Sequence, residues 1–464
     1  MTPPASEDGL PAPARYQAFA VIILGITLSV LDASIVNLAL PDISRDLGAS
    51  ASAAVWVVTA YQLAILALLL PLANLGDRIG YRRVYLAGVV VFTIGSLACL
   101  FSRNLPMLAA ARALEGLGAA GIMSVNSALV RLTFPSSMLG RAIALNSVVV
   151  ASGSVAGPTI AAAVLSVASW PWLFAINVPL GVLVVFFGRK SLPFNTHSAR
   201  KGTPLAWADV ALNILTFSLI FLGADALALH GRTHESGLPL PAVGVLAAGV
   251  VVAVIYVRRQ RGRPMPLLPI DLLAIPVFAL SMCTSIAAFA AQTVSFVALP
   301  FLLLQGHGFS HLQAGLLITA WPAGIVVSAP IAGKLMVRHP SGLLGGVGLV
   351  LLAVGLALLA LLPAHPTSFD FAWRLALCGA GFGLFQSPNN HTIVTSAPLA
   401  RAGAASGMLG TARLTGQSLG AVLVGIVFGF AGAQHGPTIA LAVGAFMAAA
   451  AAVFSALRVR AVKG

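Results

Sequence analysis

Apolar residues in this chain come in long runs separated by short polar breaks, not in the alternation of a half-buried strand. Runs of spanning length fall at about 17–41, 53–75, 84–102, 106–129, 141–167 and 172–190, then 207–229 and 239–257. The last six fall at about 276–304, 312–336, 342–363, 370–394, 403–431 and 437–457. A helix rises about 1.5 Å per residue, so about 20 apolar residues cross the hydrocarbon of a bilayer. The pattern therefore predicts an all-α polytopic membrane protein with fourteen spans. An internal repeat divides them. Pro71-Leu72-Ala73 near the end of the second run is echoed by Pro330-Ile331-Ala332 in the tenth, and Gly121 and Gly157 by Gly383 and Gly420. The offset is roughly 260 residues, as in duplicated transporter halves. Residues 1–16 read as a polar cytoplasmic tail and 17–190 as an N-terminal six-helix bundle. Residues 191–270 read as a linker holding two extra spans, and 271–464 as a C-terminal six-helix bundle.

Composition agrees with a membrane chain. Hydrophobic residues make up 59% and charged residues 8%, against about 25% charged in soluble domains. Mean hydropathy is +0.98. The net charge of +14 invites a nucleic-acid reading, but the placement of the cations speaks against it. With a cytoplasmic N-terminus, connections on that side hold 20 of the 26 Lys and Arg residues, among them Arg78, Arg82, Arg83, Arg258 and Arg259. The opposite side holds only Arg45, Arg103 and Arg232. The positive-inside rule then puts both termini in the cytoplasm. The excess charge is explained by orientation and by contact with anionic lipid. The first fifteen residues lack the basic start and cleavage site of a secretory signal, so the first span reads as an uncleaved anchor.

Against this apolar background the ionisable residues stand out. Asp32 lies inside the first run, about nine residues before Pro41, where the helix is expected to end. Arg112 and Glu115 lie in the fourth. A charge at mid-membrane costs roughly 2.5–3.5 kcal/mol on insertion scales, so such groups usually face a bundle interior or an aqueous path. A plainer arrangement pairs Arg112 with Glu115 at i,i+3 and leaves Asp32 apart. The second half has no acid in its membrane interior, but Arg413 sits about ten residues into its run. Gln386, Asn389, Asn390 and Arg413, with Asn37, Tyr61 and Gln62 from the first half, are candidates for a substrate cavity. Arg374 and Asp225 are expected to snorkel toward the interface. Gly153 and Gly157 form a small-xxx-small face for close helix approach, and Pro158 can bend its helix.

Other chemistry is not indicated. There is no Gly-x-x-x-x-Gly-Lys-Ser/Thr phosphate loop, so ATP is not the expected fuel. The histidines and cysteines have no metal-ligand spacing. Cys99, Cys283 and Cys378 sit in apolar runs and imply no disulfide framework. No enzyme constellation emerges and no cofactor is expected.

Several stretches carry a family likeness. The loop Ala73-Asn74-Leu75-Gly76-Asp77-Arg78-Ile79-Gly80-Tyr81-Arg82-Arg83 resembles the signature loop of the major facilitator superfamily. Asp77, Arg78, Gly80 and Arg82 match, while Ala73 and Tyr81 replace a glycine and an arginine. The stretch from Leu108 to Ala120 resembles the fourth-helix motif whose arginine is tied to proton coupling. Gly153-Ser154-Val155-Ala156-Gly157-Pro158 resembles the fifth-helix motif of exporters, with Ala161-Ala162 in place of a final glycine pair. Leu31 to Pro41, Trp172 to Phe174 and Ile176-Asn177-Val178-Pro179 resemble the fourteen-span drug:proton antiporters.

The resemblance implies a major facilitator fold of two six-helix bundles plus two linker spans. It implies a non-enzymatic exporter of amphipathic drugs in the inner membrane, driven by the proton gradient and working by alternating access. Asp32, Arg112 and Glu115 would serve proton coupling. Asp77, Arg78, Gly80 and Arg82 would serve gating, and Gly153, Gly157 and Pro158 helix packing. The expected partners are a small amphipathic substrate, protons and membrane lipid, with no nucleic acid, and the chain is expected to act as a monomer. A dedicated exporter of a metabolite or self-made antibiotic, or a non-transporting membrane sensor, are the alternatives.

Overall fold

The structure, a computed structural model, describes residues 9–194, 206–230, 240–261, 266–336, 338–363, 365–397 and 402–461. Residues 1–8 of the predicted tail and 195–205, 231–239 and 262–265 of the predicted linker, with Arg200, Lys201, Arg232, Arg263, Arg401 and Lys463, therefore lie outside the described residues. The first bundle comprises α1 (Ala14–Asp46), α2 (Ala51–Ile79), α3 (Tyr81–Leu100), α4 (Leu105–Thr133), α5 (Ser136–Leu165) and α6 (Pro171–Ser191). Next come α7 (Trp207–His230) and α8 (Leu240–Gln260). The second bundle comprises α9 (Pro276–Gly306), α10 (His311–Leu335), α11 (Ser341–Ala360), α12 (Ser368–Ser396), α13 (Gly407–Gly432) and α14 (Gln434–Val459).

Among the described residues 12 helices are long and apolar enough to cross a membrane, fewer than the fourteen read from the sequence. The two outside this set are α5 and α12, 30 and 29 residues long. Within α5 the stretch Ala156–Leu165 is apolar. In α12, Asp370, Arg374 and the polar group Gln386, Asn389, Asn390 and His391 dilute the apolar character.

A second difference concerns the first helix. The sequence suggests an end at Pro41, but α1 continues through it to Asp46. A proline within a bundled membrane helix forfeits one backbone bond, which neighbouring helices and side chains make good. Asp32 is thus about 14 residues, or roughly 21 Å, from the end of its helix.

Local chemistry sets the other boundaries. Asn104 caps α4, its side chain accepting from the Met107 amide at 2.9 Å. Ser310 with Gln313 and Thr367 with Asp370 form reciprocal capping boxes on α10 and α12. Between α2 and α3 the chain reverses at Gly80, whose φ of 108° suits glycine and few other residues.

The two bundles share a packing device. In the first, a Cβ on Gly88 of α3 would stand 2.8 Å from the Gly118 carbonyl oxygen of α4. In the second, a Cβ on Gly381 of α12 would stand 2.5 Å from the Gly348 carbonyl oxygen of α11. Backbones approach this closely only where side chains are absent. Outward faces are apolar, as with Val90, Ile94 and Leu97 on α3 and Val250, Val251 and Val254 on α8. Such stripes suit lipid.

Helices α7 and α8 pack on each other, and α7 also lies against α2 and α13. Asn213 donates to the Ala67 carbonyl at 2.7 Å. Asp225, expected to snorkel, instead accepts from the Trp56 indole at 3.0 Å. Arg259 pairs with Asp209 at 2.7 Å. The two bundles meet firmly at the end carrying Asp42. There His311 lies 2.5 Å from Asp42, the Thr159 and Thr319 hydroxyls are 2.9 Å apart, and one apolar cluster runs through both halves.

Candidate functional site

Five helices of the first bundle converge on Arg112. Its Nη1 donates to Asp32 Oδ2 at 2.6 Å and to Glu115 Oε2 at 2.5 Å. Its Nε donates to the Val57 carbonyl at 3.1 Å. The alternative with Asp32 apart is therefore not what forms: one guanidinium bridges both carboxylates. Asp32 and Glu115 are 0% exposed and Arg112 1%. Asn177 of α6 donates to Asp32 Oδ1 at 3.0 Å and lies 3.3 Å from Ser96 Oγ. Ser96 of α3 donates to Glu115 Oε1. Small residues permit the convergence. A Cβ on Gly95 would stand 2.6 Å from the Glu115 amide nitrogen, and one on Gly116 would strike the Tyr61 carbonyl. Buried charges at this density persist when each is paired and hydrogen-bonded.

Tyr61 stands between this cluster and a central cavity. Its ring centroid is 4.1 Å from the Arg112 guanidinium, its hydroxyl donates to the Ser29 carbonyl at 3.1 Å, and it also lines the cavity. The cavity, of about 530 Å³, lies between the bundles, within the size range of small-molecule sites. Asn37, Tyr61, Gln62, Gln386, Asn390 and Arg413 all line it, as does Pro158. Asn389 does not, which corrects its placement in the cavity. It is 0% exposed, donates to Ser285 Oγ at 2.7 Å and accepts from Arg458 Nη1 at 2.6 Å. Arg458 is one of the 20 cations that the positive-inside reading places on the cytoplasmic side. It is buried and also donates to Ser281 Oγ at 2.9 Å. A lone arginine near a chain end gives no sequence sign of burial, because its partners are distant serines and an asparagine.

The signature loop is not part of this cluster. Tyr81, which stands where an arginine was expected, donates to Asp77 Oδ1 at 2.8 Å. Arg78 donates to Asn74 Oδ1 at 2.8 Å. Arg82 donates to the Leu192 carbonyl at 3.0 Å and to that of Arg189, and lies 4.0 Å from the Phe194 ring. It thereby satisfies carbonyls at the end of α6. Arg374, expected to snorkel, pairs with Asp370 at 2.9 Å. In the exporter-like motif, a Cβ on Gly157 would fall inside Ser34 Oγ of α1, whereas one on Gly153 would make ordinary contact with Val30 at 3.5 Å. Pro158 faces the other bundle: its carbonyl oxygen would stand 2.7 Å from a Cβ on Gly315 of α10. Ser96 carries no sequence signal beyond being a short polar residue in apolar surroundings, and Asn177 is marked only by its place in the antiporter-like stretch Ile176-Asn177-Val178-Pro179.

Helical bundles with apolar outer faces, a cavity of mixed lining between them and a buried charge cluster are the architecture of a multi-pass membrane transport protein. The chain belongs to the major facilitator superfamily, whose pattern matches residues 22–421 and 282–463. It is 49% identical over 457 residues to the uncharacterized transporter YebQ of Escherichia coli K12, covering 98% of each chain. It is 30% identical over 436 residues to the multidrug efflux pump LfrA of Mycolicibacterium smegmatis, covering 91% of this chain and 83% of that one. Among solved structures it resembles a bacterial homologue of the human lysosomal transporter Spinster. That match has a TM-score of 0.68 at 17% identity and covers 97% of this chain and 98% of the other.

Proposed function

We propose that this transporter exports amphipathic compounds from the cytoplasm in exchange for protons, by alternating access across the cytoplasmic membrane. In this reading α5 and α12 also span, making fourteen spans, and both termini are cytoplasmic. The chain works as a monomer, without cofactor. The end closed by Asp42 and His311 faces outward, and the cavity is presented to the cytoplasm.

The observation that carries the reading is the Asp32–Arg112–Glu115 cluster beside the cavity wall. One cation and two carboxylates leave a net charge of −1 in a dry site, and a single proton balances it. Exchange follows if the protonated cluster favours one state of the carrier and bound substrate the other; the two ligands need not touch. Tyr61 supplies a physical link, since it borders both compartments. The pairing of polar and aromatic residues in the cavity suits amphipathic ligands, as does likeness to a multidrug efflux pump. Gly157 and Pro158 hold α5 against α1 and α10, and Asp77, Arg78, Gly80 and Arg82 act in gating at the opposite end.

The test uses everted membrane vesicles from a pump-deficient host. Energised vesicles should accumulate a fluorescent amphiphile, and a proton uncoupler should abolish accumulation. Accumulation that persists in uncoupler, or in a variant carrying both Asp32→Asn and Glu115→Gln, would overturn the reading.

A further inference from the structure

We propose that the central cavity selects flat aromatic substrates carrying an acidic group and disfavours cations. This names the substrate class of the site above and rests on the export reading only for the direction of transport. The observation is a charge without a counter-charge. Arg413 lines the cavity, its cation lies 5.6 Å from the Phe289 ring centroid, and its buried Nε has no hydrogen-bond partner. The chain has 12 acidic residues. Glu7, Asp8 and Glu235 lie outside the described residues, and none of the other nine lines the cavity. Asp32 and Glu115 are already engaged by Arg112.

A guanidinium withdrawn from water needs a counter-charge, hydrogen-bond acceptors or an aromatic face. Arg413 is half-buried, its Nε shielded and its outer N–H groups turned to the cavity, and among the described residues only the ring is supplied. A carboxylate, phosphate or phenolate on the ligand provides the rest, and a ligand cation meets like charge at the same wall. The first bundle offers the complement. Asn37 and Gln62 line the cavity there, and their side-chain oxygens, shielded in this state, have no donor in the protein; rotation of the amide groups would present them to N–H or O–H groups at the far end of a ligand. Arg413 is on α13, and Asn37 and Gln62 are on α1 and α2, so one ligand engages both bundles. Phe289 and Phe382, with ring centroids 5.3 Å apart, give an aromatic wall for a flat ring system. An anion leaving and a proton entering both carry positive charge inward, so a membrane potential negative inside drives both.

Two dyes on one xanthene ring system test this: anionic fluorescein and cationic rhodamine 123. Binding to the purified full-length protein is read by fluorescence anisotropy, without any gradient. Fluorescein should bind at least ten-fold more tightly, about 1.4 kcal/mol. Arg413→Gln should erase that margin and Arg413→Lys should keep part of it. Equal binding of the two dyes, binding of neither, or a margin that survives Arg413→Gln overturns the proposal. If Arg413→Gln fails to fold, Gln417→Glu, one turn along the same cavity wall, should erase the margin instead; a margin it leaves unchanged is equally fatal. A ten-fold margin in a protein that shows no uphill efflux sinks the export reading and leaves the substrate class standing.

Discussion

The Tyr61 ring lies 4.1 Å from the guanidinium of Arg112 and is at the same time part of the cavity wall. Whatever occupies the cavity is therefore one aromatic ring away from a cluster that holds one cation and two carboxylates. Tyr61→Phe keeps the ring and loses only the hydroxyl bond to Ser29, a change of about 1 kcal/mol. It should transport within a few-fold of the parent. Tyr61→Ala opens the cluster to cavity water and should raise proton leak through proteoliposomes at least ten-fold. A leak unchanged in the alanine variant would show that the ring is not the barrier.

Neutralising either acid should separate binding from coupling. In Asp32→Asn, uphill export should fall at least ten-fold while equilibrium binding persists. Parent protein should release protons on binding substrate and bind more tightly as pH rises, because deprotonation of the cluster favours the substrate-binding state. The Asn variant should lose both effects. Proton release measured on purified protein across a pH series decides this. If release survives in Asp32→Asn and disappears in Glu115→Gln, Glu115 is the exchanging group.

Closure at the Asp42 end depends on a missing side chain. A Cβ on Gly315 would stand 2.7 Å from the Pro158 carbonyl oxygen. Gly315→Val should therefore hold the bundles apart at this end and favour the state open there. A cysteine at position 159 should then react with an aqueous maleimide several-fold faster than in the parent background. Equal rates would mean that this crossing is not the closing surface.

The buried Arg458 predicts a stability effect away from the cavity. Asn389→Leu removes its 2.6 Å acceptor and leaves the buried cation only Ser281, Ser341 and Ser455 oxygens, at a cost of about 1–3 kcal/mol. The melting temperature in detergent should drop, whereas dye binding in the fraction that remains folded should not change. Loss of binding without loss of stability would return Asn389 to the cavity.

Orientation is checked by labelling. Cysteines at the exposed positions 83 and 261 should react only from the cytoplasmic side of intact cells, and one at exposed Val167 only from outside. Labelling of 83 or 261 from outside would overturn the assigned topology.

Much of the architecture was legible in the chain itself. Apolar runs of about 20 residues have few alternatives to membrane helices, because backbone polar groups in lipid must be satisfied within the segment. The repeat of Pro71 in Pro330 and of Gly121 in Gly383 divided the runs into halves. The cost of burying Asp32, Arg112 and Glu115 marked those residues without any structure. What these signals could not carry was partnership. The i,i+3 spacing alone is satisfied by Arg112 pairing with Glu115 and nothing else. Only the packing of α1 against α4 brings Asp32 to the same nitrogen, in a cluster that Gly95 of α3 and Gly116 of α4 allow the neighbouring helices to close around. Asn389 and Asn390 are neighbours of the same chemistry. The helical turn sends one to Arg458 and the other to the cavity, because adjacent helical residues point about 100° apart. The end of α1 was misplaced at Pro41 because a proline stops a helix in water but not one whose neighbours make good the lost bond. Composition and periodicity determined that this chain crosses a membrane as a duplicated bundle. Which polar groups face each other, and which face the cavity, was decided by the crossing of helices far apart in sequence.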